Sequence, residues 1–401
     1  MDWVRVVWVL GWASVAVGLA MSHTLISVGV GIVGVLGLAH PPFRQRLGRT
    51  LKEWLPLAGP FWLLYLLHGL SWIYTEDKAQ WLVEMRIKLP MLFLLPWAYV
   101  GWPLLSDRER AAIQWLFQLS VGAVGLIAVG KVLQNPTWAL HELREGRAIP
   151  LSTGISHIYY GALVGMALLW LWFWPAIGPR WLKVGWTILH LAILHTLALR
   201  TALVGIYGVA GVLWLYWLLW RKRRWGLALG GLLAGLSAGV LLVRFFPPLY
   251  QRWQHFQEDI ARYTPGANVT HTSVTRRLIA LEASWQVFRK APWWGVGMAD
   301  NQKEVFEATA ALPYFWEFPN YVLPHNQFVE YAVGLGLIGV GLFVSFWVLA
   351  ARQWPSWQGF GWLVYWFLLM QVEAFLERQV GITAFLWGTG ILWSRRSAHM
   401  S

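Results

Sequence analysis

The chain has no cysteine. That excludes a disulfide framework, a thiolate metal site and a cysteine nucleophile. Charge is scarce as well. Of 401 residues, 13% are Asp, Glu, Lys or Arg, against about 25% in an ordinary soluble domain. Acidic side chains are the scarcer kind, 19 against 32 Lys and Arg, which leaves a net charge of +13. Also missing are a phosphate-binding Walker loop, a dinucleotide glycine pattern behind a strand and an HExxH metal motif. No internal repeat with a period of roughly 20–50 residues is visible. No metal or other cofactor is expected.

What is present is apolar. Hydrophobic residues make up 57% of the chain and the mean hydropathy is +0.48. A hydrocarbon core about 30 Å thick needs roughly 20 apolar residues per helix. Twelve runs come close: 4–20, 24–39, 54–73, 84–101, 111–132, 154–174, 182–199, 201–220, 226–245, 327–350, 359–375 and 382–394. The second and last are short, and the first two suit a tight hairpin. The fold expected is all-α, a polytopic integral membrane protein of about 12 transmembrane helices. Tryptophan is abundant, with 32 residues, many near the ends of these runs, where indole favours the headgroup level. Arg5 and the stretch ending Gly18-Leu19-Ala20 carry a faint likeness to a cleaved leader; the segment reads better as a retained anchor.

The excess of positive charge does not call for nucleic acid, because Lys and Arg concentrate in alternate short loops. One set holds Arg44, Arg46, Arg49 and Lys52, then Arg108 and Arg110, Arg180 and Lys183, Arg221–Arg224, Arg352, and Arg395 with Arg396. The opposite loops, around Ser22 and Thr75, have few. With twelve alternating spans both termini fall in the cytoplasm. The sequence divides into residues 1–245 with nine spans, a long outer segment 246–326, and 327–401 with three spans and a short tail. In the long segment, Leu278, Leu281, Trp285 and Phe288 recur at helical spacing. They give an amphipathic helix over 276–290, with Ser273 or Thr275 to cap it and Pro292 beyond its end.

Polar residues stand out against this background. Arg200 sits where two apolar runs meet, suited either to snorkelling toward headgroups or to binding an anion. Arg276 and Arg277 open the amphipathic helix, where backbone N–H groups also favour an anion. Pro324-His325-Asn326-Gln327 leads into the tenth run. Two cations and an imidazole at outer mouths suit a pyrophosphate leaving group and a proton-accepting base. Arg86 and Lys88 are further candidates for contact with substrate, although Glu84 and Lys88 also have the spacing of a helix-face pair. His157 with Tyr159 and Tyr160 reads as a sugar contact or as part of an interfacial belt. Glu373, Glu377 and Arg378 read as an internal ion pair or as support for a functional arginine.

Taken in order, these motifs resemble the O-antigen ligase family. The resemblance rests on Ser273-Val-Thr-Arg-Arg-Leu278 ahead of a helix, on Pro292-Trp-Trp-Gly-Val-Gly297, on His325-Asn326-Gln-Phe-Val-Glu330, and on Gly334-Leu-Gly-Leu-Ile-Gly339. Arg200-Thr201 resembles the family's arginine at the outer end of a mid-chain span, and Glu377-Arg378-Gln379-x-Gly381 resembles a signature of one bacterial branch. The likeness covers about residues 150–390.

It implies an inner-membrane, multi-pass glycosyltransferase of lipopolysaccharide biosynthesis with its active site facing the periplasm. The donor would be a glycan on undecaprenyl pyrophosphate and the acceptor a hydroxyl of lipid A-core, with membrane lipid around both. The same superfamily includes polymerases, whose acceptor is a second lipid-linked glycan, and oligosaccharyltransferases. A transporter of lipid-linked sugars is the reading from another class. Under the resemblance His325, Arg277 and Arg200 are catalytic, and Arg276, Asn326, Arg86 and Lys88 bind substrate. Arginine forks fit phosphate oxygens and stay charged at any working pH. His325 would receive the acceptor proton, and direct attack would invert the anomeric carbon. Asn326 fits either a partner of His325 or a helix cap, and Gly295 and Gly297 fit turns.

Overall fold

The structure, a computed structural model, describes residues 3–144, 148–173, 178–245, 247–270, 272, 274–315, 324–353 and 356–394. Among them the chain is helical, with one isolated β-bridge between Asn268 and Phe315 and no named strand. Each of the twelve apolar runs lies largely on a helix. Five helices are long and apolar enough to cross a membrane: Trp3–Met21, Lys78–Leu104, Asp107–Gln134, Arg200–Leu219 and Gln327–Gln353. The pair His23–Ala39 and Pro41–Arg49 would add a sixth, bent by 85°. The chain is therefore of the multi-pass membrane type.

Two compact units divide the molecule. The first comprises Met1–Leu66, Met85–Val209 and Leu342–Ser401, the second Leu67–Glu84 and Ala210–Gly341. The second unit thus reaches past both ends of the 246–326 segment and takes in residues 67–84.

In the first unit, Trp3–Met21 and His23–Ala39 form the expected hairpin. Ser22 caps the second helix through Leu25 N–H. Small residues let the backbones meet: a Cβ on Gly18 would stand 2.6 Å from Ile26 N, and one on Gly29 2.7 Å from the Gly11 carbonyl oxygen. Close approach of this kind favours helix association where lipid offers no hydrophobic drive. The helix Asp107–Gln134 begins with a reciprocal cap between Ser106 and Glu109, as the spacing Ser-x-x-Glu dictates. Glu109 also receives Arg5 at 3.0 Å.

Tryptophan takes up a second position that the sequence reading did not assign. Trp8, Trp12, Trp102, Trp170, Trp362, Trp366, Trp387 and Trp393 are fully buried in this unit. Trp387 lies at ring-contact distance from Trp12, Trp102, Trp170 and Phe117, with centroids 4.9–6.3 Å apart. Tryptophan here fills the bundle interior as well as marking helix ends, because large rings in edge and offset contact fill space between helices.

The second unit has its own small core. Val269, Ile279, Ala283, Val287, Val305, Ala308, Leu312 and Val333 pack together, with Val296, Tyr314 and Val329 against them. Helices Val274–Lys290 and Asn301–Ala310 supply most of it. Val274–Lys290 is the predicted amphipathic helix. Its buried face is Thr275, Ile279, Ala280, Ala283, Ser284 and Val287, while Leu281 and Trp285 are exposed. The small residues permit close packing inside the unit, which leaves the bulky stripe outside. Its cap also differs. Val274 N–H donates to the Asp259 carboxylate at 2.9 Å and the Thr275 hydroxyl donates to the Asp259 carbonyl oxygen. The capping anion comes from the preceding helix, Pro247–Ala261; Ser273 lies outside the described residues.

Candidate functional site

The second unit holds the motif-bearing segments, joined by a backbone arrangement that explains their glycines. Helix Gln327–Gln353 is broken at Gly336, with φ 65° and ψ −163°. A continuous helix would bond Leu337 N–H to Val333 and Ile338 N–H to Gly334. Instead, Pro292–Gly297 lies alongside and takes up all four groups. Val296 and Gly297 donate to the carbonyls of Val333 and Gly334 at 2.9 and 3.0 Å. Leu337 and Ile338 donate to Pro292 and Trp293 at 2.8 and 3.4 Å. Buried backbone groups must be satisfied somewhere, most strictly at membrane depth, so the strap makes the break tolerable. The approach leaves no room for side chains. A Cβ on Gly295 would stand 2.3 Å from the Gly334 carbonyl carbon, one on Gly336 2.3 Å from Trp293 O, and one on Gly334 2.1 Å from Met298 Sδ. Gly295 and Gly297 do adopt positive φ, 71° and 94°, as expected of turn-formers, and Gly295 has this second role of close approach.

His325 stands at the head of the broken helix. Its φ is 47°, in the left-handed region where a non-glycine residue is uncommon. Asn326 caps the helix that follows, accepting from Phe328 N–H at 2.9 Å and Val329 N–H at 3.2 Å. His325 is half-buried. Behind it lies a buried polar knot. Asn301 donates its side-chain amide to Glu330 at 2.6 Å and its backbone N–H to the Gly297 carbonyl at 3.0 Å. The adjoining Asp300 is 5% exposed and accepts three hydrogen bonds from another segment: Thr75 Oγ1 at 2.6 Å, Glu76 N–H at 2.7 Å and Asp77 N–H at 3.0 Å. Lys303 reinforces this with Glu76 at 2.8 Å. Residues 300 and 301 therefore tie together the 75–77 turn, the Gly297 strap and the first turn of the helix after His325. Sequence reasoning singled out neither Asp300 nor Glu330. A carboxylate in the first turn of an otherwise apolar helix was the available signal, since such a group must be paired.

Arg276 and Arg277 occupy the first turn of Val274–Lys290. Arg276 is half-buried and Arg277 exposed, and among the described residues no hydrogen bond or ion pair engages the Arg277 guanidinium. The helix start already holds the Asp259 carboxylate, so an incoming anion would meet the arginine side chains and not an empty ring of N–H groups.

The first unit carries Arg200, Arg86 and Lys88. Arg200 begins helix Arg200–Tyr216, directly after a tight turn in which Ala198 has φ 49° and Leu199 N–H bonds back to Leu194. The turn reverses the chain between two apolar helices and leaves Arg200 exposed at the junction. Beside it, His195 Nδ1 contacts the Leu191 carbonyl at 2.8 Å and Tyr207 OH lies 3.0 Å from His195 Nε2. Arg200 and Glu373 both lie close enough to His157 to act on it through their charge. Lys88 is fully buried, its Nζ 2.7 Å from Glu377 Oε2. Glu377 thus forms an internal ion pair, with Lys88 as a partner. Arg86 is exposed, with no side-chain partner among the described residues. No group of three or more His, Asp or Glu with metal-holding geometry occurs among the described residues.

Residues 187–344 match the family model described as O-antigen ligase. The chain carries an O-antigen ligase domain. That domain contains Arg200, Arg276, Arg277, His325 and Asn326, together with both halves of the glycine pairing, while Arg86, Lys88 and Glu377 lie outside it. Members of the family that this model describes are transferases of lipid-linked glycans. No curated protein sequence matches the chain.

Proposed function

We propose that this protein is an O-antigen ligase in the strict sense. It moves a glycan from undecaprenyl pyrophosphate to a hydroxyl of lipid A-core at the periplasmic face of the inner membrane. The acceptor oxygen attacks the anomeric carbon and the bond from that carbon to the pyrophosphate oxygen breaks. The electron pair leaves on the pyrophosphate, the hydroxyl proton goes to His325, and the anomeric configuration inverts. Arg277 and Arg200 stabilise the charge that grows on the departing diphosphate, where fixed cations contribute most. Arg276, Arg86 and Lys88 are the supporting contacts, and Asn326 acts through the cap that holds His325.

The observation that carries this reading is His325. A strained backbone conformation costs about 1–3 kcal/mol and persists only where the surroundings impose it. Here a cap follows at once and a buried polar knot fixes the same helix turn. A residue held in this way, within an O-antigen ligase domain and in a unit that also presents Arg277, exposed and without a side-chain partner among the described residues, suits a proton acceptor. Polar groups gathered at helix starts and loops, in a sequence without a visible internal repeat, also suit transfer better than transport, for which repeats are usual.

Reconstitution with an undecaprenyl pyrophosphate glycan and separately supplied acceptors tests the proposal. Glycan appearing on lipid A-core supports it. Longer lipid-linked chains in place of that product would assign a polymerase, and movement of the donor between leaflets without transfer would assign a transporter.

A further inference from the structure

The second unit exposes a set of large apolar side chains that its own core does not use. Trp72 is 43% exposed, Ile73 78%, Tyr74 41%, Trp285 57%, Trp293 64% and Trp294 56%. They come from three segments that the structure holds together. Tyr74 OH donates to the Trp294 carbonyl at 3.0 Å, joining the 71–77 turn to the strap. The strap is in turn bonded to the helix break at Leu337 and Ile338. Trp285 follows on the outward stripe of Val274–Lys290, stacked on Phe288 with centroids 5.3 Å apart. An apolar set of this size on a soluble surface would be a liability, and normally marks an interaction site.

We propose that this aromatic face is a wedge that seats in the outer boundary of the lipid bilayer, between headgroups and acyl chains. Three features select lipid as its occupant. The strap that carries Trp293 and Trp294 is hydrogen-bonded into a helix long and apolar enough to cross a membrane, so the face is continuous with a lipid-contacting element. Its composition is mainly indole and phenol, the side chains that favour the interface. Cations rim it: Lys78 Nζ lies 4.6 Å from the Trp72 ring centre, and the exposed Arg289 and Lys290 end the helix that bears Trp285. Such a rim complements anionic headgroups. The wedge sets the depth at which the Gly336 break, and with it His325 eleven positions earlier on the approach to the same helix, stands relative to the membrane surface.

The absence of native cysteine makes the test direct. Full-length Ile73→Cys, Trp293→Cys and Thr264→Cys variants are spin-labelled and reconstituted in vesicles of phosphatidylethanolamine and phosphatidylglycerol. Thr264 lies in an exposed turn of the same unit. The measurement is relaxation enhancement by oxygen, which partitions into lipid, against that by a neutral nickel chelate, which stays in water. The expected result is an oxygen-to-chelate ratio several-fold higher at 73 and 293 than at 264. Equal ratios at the three positions would place the face in water and overturn the proposal. Protection of 73 and 293 from both reagents would overturn it too, by showing that protein covers the face. Because the readout is depth and not transfer, the result stands whatever reaction the protein catalyses. Ile73 and Trp293 are exposed, so replacing them leaves the core intact.

Discussion

Gly295 lies so close to Gly334 that the two chain segments meet backbone to backbone, with 2.3 Å between an added Cβ and the Gly334 carbonyl carbon. Gly295→Ala must both open that contact and place alanine at φ 71°. The left-handed conformation costs roughly 1–2 kcal/mol and overpacking about 1–3 kcal/mol. Thermal unfolding in detergent should show a large fall in Tm. Gly130→Ala is the comparison, since a Cβ there meets nothing within 4 Å, and its Tm should stay near that of the parent.

Asp300→Ala should loosen the 75–77 turn. Three donors lose a buried carboxylate, and hydrogen bonds to charged groups contribute about 1.5–3 kcal/mol each before losses overlap. Hydrogen exchange of the Glu76 and Asp77 amides should accelerate by orders of magnitude. Unchanged protection there would mean that the turn is held by something else.

Lys88 and Glu377 allow structure and function to be separated. Lys88→Met takes from Glu377, close to buried, the ammonium 2.7 Å away, and removing one partner of such a pair costs about 3–5 kcal/mol. Lys88→Met combined with Glu377→Gln should recover much of that stability. If Lys88 also contacts substrate, the double variant regains its Tm and still transfers poorly. Recovery of both would make the pair structural alone.

The proposed roles of the arginines and the histidine predict different failures. Arg277→Ala and Arg200→Ala should each lose most transfer and weaken donor binding. Lysine at either position should restore only part, because it lacks the planar fork. His325→Ala should lose transfer while binding donor lipid almost as the parent does. Equal loss of donor affinity in His325→Ala and Arg277→Ala would move His325 from the acceptor proton to the diphosphate.

Topology is checked with the same cysteine-free background. A cysteine at position 268 should react with an impermeant maleimide added from the periplasmic side, and one at 222 only after the inner membrane is opened. The reverse pattern would invert the proposed orientation and remove the periplasmic site with it.

The sequence by itself determined the helices, the membrane class and the likeness to the O-antigen ligase family. Each is written locally: an apolar run of a given length, a Ser-x-x-Glu cap at Ser106, a string of glycines and a His-Asn pair in a fixed order. It also marked Arg277 and His325 as candidates, because charged and titratable groups are conspicuous beside apolar runs. Only the tertiary structure decided what the glycines are for. Whether Gly295 is a turn or a contact depends on which segment lies across from it, and that pairing is absent from the local pattern. The same holds for Lys88, whose partner Glu377 is 289 positions away. It holds too for helix Val274–Lys290, where only the fold shows that the small residues face the unit's core and the bulky stripe does not. Periodicity says that a helix has an apolar side; the shape of its neighbours selects which residues are buried.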